Sequence, residues 1–246
     1  MRCQPRYIGP VYIWLKNNQH CLLCDESTDT SHPICTPCES ELPWLGDQCQ
    51  VCALPLPMPG LTCGQCLKKS PAFAQVVAPW AYGFPIDSLI TRFKHRAQWP
   101  FGRLLAELLG QSLHHRFDEG LTRPDALVPV PLSNQRLRER GYNQAAMLAQ
   151  WLSDSLTIPC EEHLLLRTQD TTAQQELNAE ARRRNLRTAF ALVPDARIEG
   201  RHLALVDDVL TTGTTAHYLA RLLMNGGARQ VDVYCLARTP KPGDQA

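Results

Sequence analysis

The sequence predicts an α/β protein with a mostly parallel, doubly wound sheet, preceded by a small cysteine-rich module. Three observations carry this expectation. From about Pro71 onward, strand-like apolar runs alternate with segments of helical periodicity, as in a sheet with helices on its faces. The run Leu203-Ala-Leu-Val-Asp207-Asp208-Val-Leu-Thr211-Thr212-Gly213-Thr214-Thr215 passes from an apolar strand through two carboxylates into a hydroxyl-rich loop, and a helical pattern follows. Upstream, eight of the eleven cysteines form four C-x-x-C pairs.

At 246 residues and 44% hydrophobic content, the chain can bury a sizeable core. A net charge of +1 does not mark the whole molecule for nucleic acid or a membrane surface. The longest early apolar run, Val11 to Leu15, is too short for a signal-peptide core or a membrane helix, and no later run reaches membrane length. The expected location is cytoplasmic, with no membrane insertion. Residues 1–20 lack periodicity and form a tail without an assigned function.

The pairs are Cys21/Cys24, Cys35/Cys38, Cys49/Cys52 and Cys63/Cys66, with ten residues between each pair and the next. Such knuckles each give two thiolates to a tetrahedral ion, so residues 21–70 are expected to hold two structural Zn²⁺ ions as a double zinc ribbon. Sequential and cross-braced pairings fit the spacing equally. A disulfide framework would require an oxidising compartment, and four equivalent pairs do not suit redox chemistry. Closed four-cysteine sites leave no open coordination position, so these metals fold the segment and do no chemistry. Residues 1–70 carry five Lys or Arg against six carboxylates, which argues against this module binding DNA by itself.

The α/β domain is expected over residues 71–246. Phe73 to Tyr82 reads as extended, and Pro85 to Phe93 as a short helix with Ile86, Leu89, Ile90 and Phe93 on one stripe. Phe101 to Phe117 carries five leucines at helical spacing. Asp125 to Pro131 reads as a strand that prolines end, passing into the loop Val130, Pro131, Leu132 and Ser133. A helix opens near Gly141 and reaches Leu156; His163 to Leu166 is a strand, and Ala173 to Arg184 a polar helix. His202 to Val206 is the strand leading to the two carboxylates. The next helix, Thr214 to Met224, stops at Asn225-Gly-Gly227, and Gln230 to Arg238 closes as a strand. In such sheets ligands sit beyond the strands' carboxyl ends, so the loops after Val130 and after Asp208 are expected to build one site.

Phosphate suits the second loop. Backbone N–H groups at a helix start aim partial positive charge at an anion, glycine frees their orientation, and Thr hydroxyls add donors. The stretch resembles the 5-phosphoribosyl-1-pyrophosphate (PRPP) loop of type I phosphoribosyltransferases, so the expected fold becomes type I phosphoribosyltransferase-like. The resemblance implies that Thr211, Thr212, Gly213, Thr214 and Thr215 cradle the 5′-phosphate and that Asp207 and Asp208 bind the ribose hydroxyls. It also implies that Val130 to Ser133 forms the pyrophosphate loop and that Mg²⁺ accompanies PRPP. Arg136, Arg138 and Arg140 follow that loop, and a second basic run holds Arg182, Arg183 and Arg184. Both runs are candidate phosphate or DNA contacts.

Arg140-Gly-Tyr-Asn-Gln144 resembles a signature of the ComF/GntX family of competence-associated, phosphoribosyltransferase-like proteins. Arg167, Thr171, Gln174, Leu177, Arg182, Asn185 and Ala189-Phe190 match that family's second signature, so the resemblance spans about residues 21–239. It implies PRPP binding and a role in uptake or processing of exogenous DNA, for competence or for use of DNA as nutrient. Single-stranded DNA and the DNA-uptake machinery would then be partners. It supplies no acceptor substrate. Two other readings fit the residues: a salvage or amidophosphoribosyl-type transferase acting on a small base or amine, and a non-catalytic accessory protein that binds single-stranded DNA.

Overall fold

Seven helices and seven strands form among the described residues, which are 20–28, 30–168 and 189–240 of this computed structural model. The chain divides into two compact units, residues 1–42 and 43–246.

In the first unit, the knuckle at Cys21 is a tight turn. Asp25 donates its N–H to Cys21 O at 2.9 Å and sits at φ 63°, while Cys21 N–H reaches Glu26 O at 2.7 Å. Thr30 Oγ1 donates to Ile34 O at 2.9 Å, and helix α1 (Thr36–Ser40) follows Cys35 with a proline in its first turn.

The second unit holds the second ribbon and the α/β fold together. Helix α2 (Gly64–Lys68) follows Cys63. The segment expected to be extended over Phe73 to Tyr82 forms two two-residue strands, β1 (Val76–Val77) and β2 (Trp80–Ala81), because Pro79 lacks the N–H that would continue the ladder. Both pair in parallel with β7 (Gln230–Arg238). Beside β7 lies β6 (His202–Leu210), and beside that β3 (Ala126–Pro129), also parallel. The sheet order is thus β1-β7-β6-β3, with β2 next to β7 beyond β1.

Alternation along the strands assigns the two faces. Leu203 and Leu205 of β6, Val231, Val233 and Cys235 of β7, and Ala126 and Val128 of β3 share one core. Ala216, Leu219, Ala220 and Leu223 of helix α7 (Thr214–Asn225) belong to the same core. So do Cys49, Cys52, Cys63 and Cys66, so the second ribbon is part of the sheet's apolar packing and not a separate bead. Against the sheet also pack helices α4 (Trp99–Asp118) and α6 (Gln144–Leu156), which contact each other. The leucines Leu104, Leu105, Leu108, Leu109 and Leu113 of α4 are fully buried, as their spacing requires.

Several elements differ from the sequence expectation. Helix α3 (Ile86–Arg96) runs past Phe93, and a short helix α5 (Asn134–Arg140) stands where no element is expected. Ser133 nucleates α5 by accepting from Arg136 N–H at 3.2 Å, and Gly141 at φ 80° ends it. β6 continues through Asp207 and Asp208 to Leu210, since β7 is long enough to pair with it there. β4 (Leu165–Arg167) leaves the main sheet and pairs antiparallel with β5 (Phe190–Leu192), which local patterning does not reveal in three residues. The polar helix expected over Ala173 to Arg184 and the tail over residues 1–19 lie outside the described residues. Among the described residues, no helix is long and apolar enough to cross a membrane.

Candidate functional site

Parallel pairing of β3 with β6 puts the two expected loops side by side. Pro129 is in register with Val206, and Val130 N–H donates to Val206 O at 2.9 Å. The chain therefore leaves β3 into Pro131, Leu132 and Ser133 next to the strand that carries Asp207 and Asp208. After Leu210 come Thr211 and Thr212, and then Gly213 at φ 72°, a left-handed conformation that glycine adopts without strain. Gly213 N-caps α7 without a side-chain cap. Thr214 N–H, the first α7 amide, lies 3.4 Å from Thr212 Oγ1, a long contact, and Thr212 Oγ1 and Thr214 Oγ1 sit 2.8 Å apart at the helix mouth. Thr215 is half-buried in the first turn.

The two carboxylates are held differently. Asp208 is 6% exposed; its Oδ1 accepts from Val209 N–H at 2.7 Å. Its Oδ2 is 2.7 Å from Lys94 Nζ and 3.3 Å from Gln144 Nε2. Asp207 Oδ1 accepts from Asp208 N–H at 2.9 Å. Burial, and next the negative charge of Asp208, push the Asp207 carboxyl up to about 8.

That shift has a sign. Between the ordinary carboxyl range and about pH 8, the native state holds a proton on Asp207 that the unfolded chain has released. Unfolding free energy contributed by this residue therefore falls as pH rises through that window. Urea unfolding at pH 6 and pH 8.5 should show a decline in the parent that Asp207→Asn flattens. An unchanged pH profile in Asp207→Asn would mean that Asp207 titrates normally.

Arg140 to Gln144 is a set of struts. Gly141 ends α5, and Tyr142 Oη donates to Phe93 O at the end of α3. Asn143 N-caps α6, accepting from Ala145 N–H at 3.1 Å, while its Nδ2 reaches Val130 O at 3.1 Å. Gln144 is buried and donates to Asp208. Three consecutive residues, Tyr142, Asn143 and Gln144, thus tie the end of α3, the loop after β3 and Asp208 into one frame. Lys94, His95, Arg136, Glu139, Arg140 and Tyr142 surround a cavity of about 400 Å³ next to that frame. Arg138 does not line it. Arg182, Arg183 and Arg184 lie outside the described residues, as do Thr171, Gln174, Leu177 and Asn185.

Sequence reasoning misses Lys94. Its partner is distant along the chain, but a signal exists: Lys94 continues the i, i+4 stripe of Ile86 and Ile90, both fully buried, so it points toward the interior.

The cysteines gather as two sets, Cys21, Cys24, Cys35 and Cys38, and Cys49, Cys52, Cys63 and Cys66. Pairing is therefore sequential and not cross-braced. All four Sγ atoms of each set lie within 4.8 Å of one another. Cys24 and Cys35 Sγ are 3.6 Å apart, and Cys52 and Cys63 Sγ 3.7 Å. Four sulfurs at a Zn–S bond of about 2.3 Å in a tetrahedron stand about 3.8 Å apart, so the donor sets fit zinc. His20 is not needed as a ligand, and its Nδ1 is 2.8 Å from Asp25 O. Cys235 is fully buried in the sheet core.

The double zinc ribbon domain family matches residues 18–67, and the phosphoribosyl transferase domain family matches residues 143–245. The chain is 38% identical over 221 residues to the DNA utilization protein YhgH of Escherichia coli (strain K12), covering 89% of this chain and 96% of that protein. It is 36% identical over 228 residues to competence protein F of Haemophilus influenzae, covering 92% and 93% respectively. With competence protein ComFC of Bacillus subtilis (strain 168) it shares 29% identity over 244 residues, covering 89% and 95%.

Proposed function

Because the chain belongs to the ComF/GntX family of competence and DNA-utilization proteins, we propose that it is a cytoplasmic PRPP-binding protein serving uptake or processing of exogenous DNA. Its α/β unit has the type I phosphoribosyltransferase fold. The observation that carries the ligand assignment is the frame in which Gln144 and Lys94 hold Asp208 beside the hydroxyl loop.

In this reading Thr211 to Thr215 and the first turn of α7 take the 5′-phosphate, and Asp207 and Asp208 take the ribose hydroxyls. The loop Val130 to Ser133 faces the pyrophosphate, and Lys94, Arg136 and Arg140 supply the charge that a polyanion requires. Mg²⁺ would travel with the ligand's phosphates. Two adjacent carboxylates, one of them pushed up by burial and then by the other's charge, suit a nearby cation. Arg136 and Arg140 line the same cavity and concentrate positive charge there, as a polyanion requires. Single-stranded DNA and the DNA-uptake machinery are the partners this role calls for, and relatives named for DNA utilization and for competence support the role.

Calorimetry with PRPP and Mg²⁺ tests the assignment. The parent should bind, and Asp207→Asn/Asp208→Asn should lose about ten-fold or more in affinity. Equal affinity in both proteins, or none in the parent, would remove PRPP as the ligand.

A further inference from the structure

Asp208 has little capacity for a ribose hydroxyl while Lys94 holds it. A carboxylate offers about four acceptor positions. Its Oδ1 takes Val209 N–H, and its Oδ2 takes Lys94 Nζ and Gln144 Nε2, so three donors already fall on a side chain that is almost fully buried. Val209 is held in β6 and Gln144 opens α6, so neither donor leaves easily. Lys94 is the partner that can leave, because its ammonium ends a flexible four-carbon stem.

The ammonium also has a second place to go. Lys94 borders the cavity of about 400 Å³ that Arg136 and Arg140 line, whereas Asp208 does not. Arg140 Nη1 is buried with no hydrogen-bond partner among the described residues, a donor that an anion in this cavity would satisfy. Glu139 is the one carboxylate set against these three cations. The backbone beneath Lys94 is pinned. Phe93 is fully buried, its ring centroid lies 5.8 Å from that of Tyr142 and 5.9 Å from that of Trp151, and its carbonyl accepts from Tyr142 Oη. A change of partner therefore needs rotation of the Lys94 side chain and no movement of α3.

We propose that Lys94 exchanges Asp208 for the ligand's pyrophosphate and so couples the two halves of the ligand site. The ammonium that moves onto pyrophosphate beside Arg136 and Arg140 is the one that uncovers Asp208 for a ribose hydroxyl. The inference rests on the PRPP reading and adds selectivity to it. Breaking the Lys94–Asp208 pair costs free energy that each half of the ligand must offset when it binds alone. With both halves present the cost falls once, so each half tightens the other by the same factor. Lys94 then selects the joined molecule over a sugar phosphate or pyrophosphate by itself.

Calorimetry of the full-length chain with Mg²⁺ tests the exchange through two fragments. One is pyrophosphate, and the other is 1,4-anhydro-D-ribitol 5-phosphate, which lacks the 1-hydroxyl that would collide with pyrophosphate. Saturating pyrophosphate should tighten the sugar phosphate by about five-fold or more in the parent. In Lys94→Met that coupling should vanish, pyrophosphate alone should bind more weakly, and the sugar phosphate alone should bind no more weakly than in the parent. A lysine that only supplied positive charge would weaken both anions on removal. Fragments that bind the parent independently or oppose each other, coupling that survives in Lys94→Met, or weakening of both fragments in a folded Lys94→Met would each overturn the exchange. The parent coupling requires no variant, so it decides the question even where Lys94→Met fails to fold. PRPP titrated into the parent keeps the two readings apart. Tight PRPP binding with uncoupled fragments refutes the exchange and spares the PRPP assignment, whereas a parent that binds neither PRPP nor the fragments removes both.

Discussion

Replacing Cys49 and Cys52 with serine is expected to unfold the α/β unit, whereas the same change at Cys21 and Cys24 leaves that unit folded. All four cysteines of the second set are buried among the sheet and α7 side chains, with Cys49 1% and Cys63 3% exposed. In the first set Cys24 is exposed, and its unit is a separate compact body. A structural Zn²⁺ ion contributes about 10–16 kcal/mol of apparent binding energy, which is folding energy because the unfolded chain has no preformed site. A domain's whole net stability is about 5–15 kcal/mol. Loss of the second metal therefore exceeds or matches what holds the unit together, and uncompensated thiols would remain in its core. Both double variants should fall from two zinc equivalents to one. Only Cys49→Ser/Cys52→Ser should lose the cooperative thermal transition of the sheet. Indistinguishable melting of the two variants would show that the second ribbon is a passive appendage.

The same burial explains why composition alone divides the chain differently from packing. A cysteine-rich stretch up to residue 70 looks like one module, because four equally spaced C-x-x-C pairs carry no record of what each packs against. The compact boundary falls instead between Leu42 and Pro43. Leu54 is the residue that distinguishes the second ribbon: it is 3% exposed and lies in the sheet core beside Cys52. In the sequence it is one leucine in a proline-rich linker.

The candidate site was legible to the extent that it is local. Asp207 to Thr215 is one strand, one loop and one helix start, so its residue types and spacing reflect geometry directly. The proximity of Val130 follows from parallel pairing of two apolar runs. What stayed hidden depends on distant contacts. Lys94 meets Asp208 only because α3 packs across the frame that Tyr142 and Phe93 complete, and a lysine on a buried stripe is easily taken for a helix end. Likewise Arg140 to Gln144 reads as a signature in sequence, while its three long-range side-chain bonds, to Phe93, Val130 and Asp208, exist only in the fold.

Arg238 is the other residue whose removal should be costly, and the sequence places it only at the end of a strand. It is 7% exposed, and its guanidinium faces four carbonyls: Nε donates to Cys52 O, and the two N–H of one terminal nitrogen are shared among Leu210, Thr211 and Thr239 O. It thereby links the second ribbon's knuckle to the start of the hydroxyl loop. No other side-chain type presents planar, permanently charged donors in this fork. Arg238→Met fills much of the volume but leaves Cys52 O, Thr211 O and Thr239 O without this donor, while Leu210 O keeps the N–H of Thr239 at 3.0 Å. Hydrogen bonds to charged groups contribute about 1.5–3 kcal/mol each, so the expected loss is about 3–5 kcal/mol in urea unfolding. Arg238→Lys should recover part of that, since an ammonium reaches some of these carbonyls but cannot span from the ribbon to the loop. Hydrogen exchange at Thr212 to Thr215 should accelerate in Arg238→Met more than at Leu203 to Val206, because the loop loses an anchor and the strand does not. Uniform acceleration across both segments would indicate general destabilisation, and stability within about 1 kcal/mol of the parent would show that Arg238 is not the strut joining ribbon and loop.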